Sequence, residues 1–178
     1  MRKAAPAFCT IGLLAVSILG CIRHEGQLAL FLTSADNTQQ GVITAQQVNI
    51  DITSVEILEP QSGTFLTLSH GSQIHEVLGL VDRNSLLALA DSLDEGSYQE
   101  VRLTLSAANS TVVDDRGRVQ PLRVEPETIT VPAFFTVIED GSTNVILEID
   151  LQASLKLRAN GAWVLRPVIR QVADPNQR

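Results

Sequence analysis

Apolar residues recur at every second position along most of this chain, the spacing of β-strands with one face buried. Leu28, Leu30 and Leu32 form one such run, and Val48, Ile50 and Ile52 form the next. The parity then slips, because the following pair is Val55 and Ile57. A slip of one turns side chains to the wrong face, so the spacing predicts a β-bulge or bend near Thr53-Ser54, or two separate strands. Phe65-Leu66-Thr67-Leu68 and residues 74–80 read as further strands around a turn at His70-Gly71. Val101, Leu103 and Leu105 alternate with Arg102, Thr104 and Ser106, and Asp115-Arg116-Gly117 reads as a hairpin turn before Val119. After a turn at Glu139-Asp140-Gly141, Val145, Leu147, Ile149 and Leu151 alternate with Asn144, Glu148 and Asp150. Asn160-Gly161 is the strongest hairpin signal, joining Leu155-Lys156-Leu157 to Trp163-Val164-Leu165. Pro167 interrupts the last strand, which suggests an edge position or a bulge.

One segment departs from this period. Leu86, Leu89, Ala90 and Leu93 fall at helical spacing, Asn84 or Ser85 can cap the start, and Gly96 follows the end. The pattern predicts a short helix over 84–93. About ten short strands with one short helix predict an all-β fold, an antiparallel β-sandwich.

The first residues follow a different logic. Arg2 and Lys3 precede a run over 4–19 that is apolar or small and carries no charge. It is shorter than the roughly 20 apolar residues of a transmembrane helix and suits a signal peptide. It ends in Ile18-Leu19-Gly20-Cys21, the pattern of a bacterial lipobox. The expected organisation is a lipoprotein signal peptide over 1–20, a lipidated tether over 21–26, a sandwich domain over 27–172 and a loose tail over 173–178. Cys21 then becomes the first mature residue and carries acyl chains such as palmitate. Ile22 stands where an Asp commonly retains lipoproteins at the inner membrane, so the expected address is the outer membrane if the host has one. The five tether residues after Cys21 span roughly 17 Å, which keeps the domain close to the lipid.

Composition narrows the function. The formal charge of −7 becomes −9 once Arg2 and Lys3 leave with the signal. Such an acidic domain is not expected to bind nucleic acid by neutralising phosphates. Cys9 leaves with the signal and Cys21 is committed to lipid, so no thiol remains for a disulfide, catalysis or a Cys-ligated metal. Trp163, Tyr98 and four phenylalanines are the mature aromatics, a sparse set for a sugar-stacking face.

Candidate chemistry is thin. His24 lies in the tether, and His70 and His75 lie near a turn where their side chains need not converge; the expectation is no metal and no cofactor. Ser34, Asp36, Asp51, Asp114, Asp115, Glu139, Asp140, Glu148 and Asp150 occupy loops and strand faces, but none forms an Asp-x-Asp-x-Asp-Gly calcium loop. No nucleophile elbow, zincin motif or phosphate loop is present, and the catalytic expectation is none. Arg102, Arg123, Arg166 and Arg170 read either as an anion-binding strip or, with the excess of acid, as cross-strand ion pairs. Asn109-Ser110-Thr111 is a chance match to a glycosylation tripeptide. Tyr98 follows a loop directly into the strand of Val101, the position from which a tyrosine folds back as a tyrosine corner.

Five segments also resemble a known family in order. They are Leu32-Thr33-Ser34-Ala35-Asp36, Gly96-Ser97-Tyr98-Gln99-Glu100-Val101-Arg102-Leu103, Pro121-Leu122-Arg123-Val124, Phe135-Thr136-Val137, and Gly161-Ala162-Trp163-Val164-Leu165-Arg166-Pro167-Val168-Ile169-Arg170. Together they are similar to the bacterial domain-of-unknown-function family 4382, found in secreted proteins and lipoproteins. The resemblance implies a transthyretin-like or immunoglobulin-like sandwich and carries over no activity. The expected function is a membrane-anchored, extracytoplasmic, non-catalytic interaction or structural module of the cell envelope. The expected partners are the membrane, through lipid on Cys21, and an envelope protein or glycan. A glycan or cell-wall-polymer binder and an unrecognised envelope enzyme are the alternatives.

Cys21→Ala is expected to abolish acyl labelling and leave the protein unprocessed or soluble on membrane fractionation. A variant that still labels and still fractionates with membranes contradicts the lipobox.

Overall fold

The computed structural model describes residues 24–36 and 44–174. Cys21 and the rest of the signal and lipobox lie outside the described residues. Strands account for most of what is described: β1 (Glu25–Ser34), β2 (Ala45–Leu58), β3 (Phe65–Glu76), β4 (Ser85–Asp94), β5 (Gly96–Asp114), β6 (Val119–Val124), β7 (Thr128–Val137), β8 (Ser142–Ile149), β9 (Leu155–Leu157), β10 (Trp163–Leu165) and β11 (Ile169–Val172). A 3₁₀ turn at Leu78–Leu80 and the four-residue α1 (Leu151–Ser154) complete the set.

The strands form two mixed sheets. The smaller runs β11-β8-β1-β4; the larger runs β3-β2-β5-β6-β10-β9, with β7 also paired to β5. Most neighbours are antiparallel, but β1 with β8 and β10 with β6 are parallel. β5 is the longest strand. β2 follows one of its edges from Val101 to Asp114, while its other edge is divided between β7 over Gly96–Thr104 and β6 over Thr111–Val113.

The period-two residues face inward as expected. Leu28, Leu30 and Leu32, then Val48, Ile50 and Ile52, are buried, and so are Val55 and Ile57 beyond the slip. The slip is a bulge. Ile52 and Ser54 of β2 stand opposite Gln73 and His70 of β3 and opposite Leu105 and Thr104 of β5. The irregularity therefore crosses three strands at one level and returns Val55 and Ile57 to the core. His70-Gly71 belongs to this bulge and is not a turn; β3 runs through it unbroken to Glu76, with Gly71 at φ 114°. Residues 78–80 form the 3₁₀ turn rather than the end of a strand.

The expected helix over 84–93 is strand β4. Pairing with β1 exposes Leu86 and Leu89, two of the four residues a helix would have buried, and buries Leu87 and Ala88 alongside Leu93. A bulge at Leu87, between the Leu30–Ala88 and Phe31–Leu86 pairs, breaks the period-two signal and leaves a spacing that mimics a helix. The short helix of the fold is α1, capped by the Asp150 carboxylate, which accepts from Ala153 N at 2.9 Å.

The hairpin signals hold. Asn160-Gly161 joins β9 to β10 in the expected register, with Trp163 opposite Leu157 and Leu165 opposite Leu155, and Gly161 takes φ 81°. Pro167 lies where the chain leaves the larger sheet after β10 and enters the smaller one as its edge strand β11. Lacking an N–H, proline suits a crossing that pairs with neither sheet.

Tyr98 is 2% exposed, and its hydroxyl donates to the Asp94 carbonyl at 2.8 Å. Its ring stacks on Phe135 at a centroid distance of 5.2 Å. This is the expected tyrosine corner, binding the end of β4 to the start of β5. Tyr98→Phe is expected to cost about 0.5–1.5 kcal/mol, the loss of one hydrogen bond. Tyr98→Ala is expected to cost about 3–5 kcal/mol, the emptying of an aromatic site. Urea unfolding of both variants beside the wild type measures the two figures.

Candidate functional site

The sequence-predicted polar residues are mostly committed to holding the sandwich. Asp51 is fully buried, accepting from Ser72 Oγ at 2.7 Å and from Asn109 Nδ2 at 2.9 Å. Asn109 of the glycosylation-like tripeptide is thus part of this network, and Ser110 Oγ receives the Asp51 N–H at 3.0 Å. Asp114 organises the β5–β6 hairpin. It accepts from the backbone N–H groups of Arg116 and Arg118, from Arg118 Nε and from Gln120 Nε2, all within 3.0 Å. These donors, the Arg118 backbone N–H foremost, hold its pKa at about 2.

His70 and His75 do not converge. His70 is exposed opposite Ser54, whereas His75 is buried opposite Ile50. His75 Nδ1 shares a 2.8 Å hydrogen bond with Ser85 Oγ, and its Nε2 is buried without a partner among the described residues. Burial lowers its pKa, against an opposing pull from Asp51. Strand alternation puts Asp51 on the other face of β2 from Ile50, and among the described residues no carboxylate bonds the imidazole to complete a Ser–His–Asp relay.

Three of the four strand arginines are paired. Arg102 lies 3.8 Å from Glu56 with its guanidinium over the Phe65 ring, Arg166 lies 3.7 Å from Glu125, and Arg170 lies 2.6 Å from Glu148. Arg123 has no acidic partner among the described residues; it flanks Val164 across the sheet from Lys156. Trp163 is 5% exposed. With Tyr98 also buried, neither ring offers the open stacking surface that the glycan reading calls for. Trp163 is one of the residues lining a cleft of about 590 Å³ beside the β5–β6 hairpin.

Two surface features were not visible in the sequence. The first is the outer face of the smaller sheet. Register places Leu86, Phe31, Ile146 and Val172 in one row across all four strands, with Leu89 beside Ala29 in the next. Leu86 and Leu89 are 49% and 55% exposed, Phe31 and Val172 are half-buried, and Ile146 at the centre of the row is buried. The Glu148–Arg170 pair and the Asn144–Asp174 hydrogen bond border the row. Period-two reading assigns one face of each strand to the core and says nothing of how outer residues line up between strands.

The second lies where β1 begins. His24, Glu95 and Glu139 bring ligand atoms within 4.8 Å of one another, and all three are exposed. His24 Nδ1 is 2.6 Å from Glu139 Oε1, a contact that raises the histidine pKa. Next to this group is a recess of about 400 Å³ lined by Glu59, Pro60, Ser62, Asp94, Glu95 and Tyr98. The three residues are far apart in sequence, and only the closure of two turns around the start of β1 assembles them.

The sequence model of a family described as a domain of unknown function (DUF4382) matches residues 25–167. No curated protein and no solved structure matches the chain.

His75 and Asp114 give the fold a two-step acid response. Between the lowered His75 value and 6.5 the unfolded chain binds a proton that the folded chain resists, so stability falls as pH drops through that window. The Asp114 contribution is complete above 3.8 and is lost as pH falls toward 2. Urea midpoints measured across pH are expected to show both declines, with His75→Gln flattening the first and Asp114→Asn the second.

Proposed function

The chain belongs to the DUF4382 family, and from that premise we propose that it is a lipid-anchored, extracytoplasmic interaction module without catalytic activity. The anchor rests on the charged start, apolar run and lipobox that end at Cys21. The observation that carries the interaction role is the apolar row across the outer face of the β11-β8-β1-β4 sheet. Its exposed part is Leu86 and Leu89 on the edge strand β4, and exposed apolar surface with a polar border is the usual mark of a protein–protein contact. Here the polar border is the Glu148–Arg170 pair on one side and the Asn144–Asp174 bond on the other. The partner is accordingly another envelope protein with an apolar surface, met by a sheet face rather than by a pocket.

The commitment of the interior polar groups supports the non-catalytic part of this reading. Asp51 and Asp114 are consumed by contacts that shape a bulge and a hairpin, and His75 is tied through Nδ1 to Ser85 at the β3–β4 junction. The rigid sandwich presents the row pre-formed, so docking needs little ordering of the domain itself.

Leu86→Arg with Leu89→Arg is expected to abolish cross-links to the partner in intact cells while leaving the β-sheet circular-dichroism signal and the membrane association unchanged. Cross-links that persist in this double variant contradict the assignment of the contact surface.

A further inference from the structure

We propose that His24, Glu95 and Glu139 form a divalent-cation site that takes Zn²⁺ at the end of the sandwich where β1 begins. The donor set selects the ion. One imidazole nitrogen with two carboxylate oxygens suits zinc, whereas Ca²⁺ and Mg²⁺ favour oxygen-only coordination with more ligands. Three protein donors leave a coordination position for water, as in an open zinc site.

The geometry is close to what binding requires. At metal–ligand lengths of about 2.0–2.2 Å in tetrahedral array, donor atoms sit roughly 3.4 Å apart. His24 Nδ1 and Glu139 Oε1 stand at 2.6 Å, and the full set lies within 4.8 Å, so one pair opens slightly and the others close. The side chains are exposed and make this adjustment freely.

Their backbones, by contrast, are fixed. Glu95 N donates to the His24 carbonyl at 2.8 Å, Asp140 N to the Glu25 carbonyl at 2.9 Å, and Gln27 N to the Gly141 carbonyl at 2.8 Å. Gly26 packs so closely that a Cβ there would lie 2.2 Å from the Ile138 carbonyl oxygen. The start of β1 is thus clamped between the β4–β5 and β7–β8 turns, and each turn contributes one carboxylate. Two carboxylates balance a dication, and Asp140 adds further negative potential beside the histidine. Nothing in this assignment depends on the interaction surface proposed above. A bound ion cross-links the segment before β1 to both turns and sets the direction in which that segment leaves the domain.

The test is a calorimetric titration of Zn²⁺ into the purified, tag-free full chain in detergent, with its thiols alkylated, repeated with His24→Gln and with Glu95→Gln. The expected result is saturable one-to-one uptake that weakens at least about tenfold in each variant, the scale on which metal sites lose affinity when their immediate environment is altered. Co²⁺ substituted in the wild type is expected to give absorption bands that His24→Gln removes. Circular dichroism checks that both variants keep the β-sheet signal, and Glu139→Gln replaces either one that does not. Absence of one-to-one uptake, or uptake unchanged by these substitutions, overturns the site.

Discussion

The ladder between β2 and β5 is the constraint on which the rest of the larger sheet depends. β5 offers two edges of hydrogen-bonding groups along Gly96–Asp114, and neither can be left unpaired in the interior. β2 takes one edge. The other is too long for a single short strand and is shared by β7 and β6. This division places the remaining strands. β7 is held beside the smaller sheet, where Gln171 of β11 bonds both Phe134 N and Phe134 O, and β6 carries β10 and β9 away from it. Cys9 and Cys21 both lie outside the described residues, so the described sandwich is held by packing, hydrogen bonds and ion pairs without a disulfide.

The sequence was most legible where one local signal decided one local structure. Asn160-Gly161 specifies a tight turn, and the register of β9 with β10 results from it. The parity slip at Thr53-Ser54 pointed to a bulge, a bend or a break between strands, and a bulge is what joins the two halves of β2. Legibility failed where tertiary pairing reassigned the faces. Leu86 and Leu89 resemble the buried stripe of a helix because a bulge at Leu87 disturbs the alternation of β4, and only the pairing with β1 reveals it. His70-Gly71 reads as a turn because glycine usually marks one, yet here it absorbs an extra residue opposite β2. The convergence of His24 with Glu95 and Glu139 leaves no sequence signal at all, since it depends on two turns closing on one strand end.

Charge is divided within the domain more sharply than its net value suggests. Glu59, Asp94, Glu95, Glu139 and Asp140 gather around the start of β1, while Arg123, Lys156, Arg158 and Arg166 gather at β6, β9 and β10, where Glu125 pairs with Arg158 and Arg166. Val164, between Arg123 and Lys156, is buried on the outer face of β10 although it is not part of the core. Long basic side chains cover apolar surface with their stems in this way.

The placement of β1 has a mechanical consequence. β1 is an inner strand of its sheet, paired along its length with β4 on one side and β8 on the other. Tension arriving through the residues before Glu25 pulls along the axis of this strand, so it loads both ladders in shear at once instead of opening them one hydrogen bond at a time. A load on that end therefore meets two ladders together before any strand can peel.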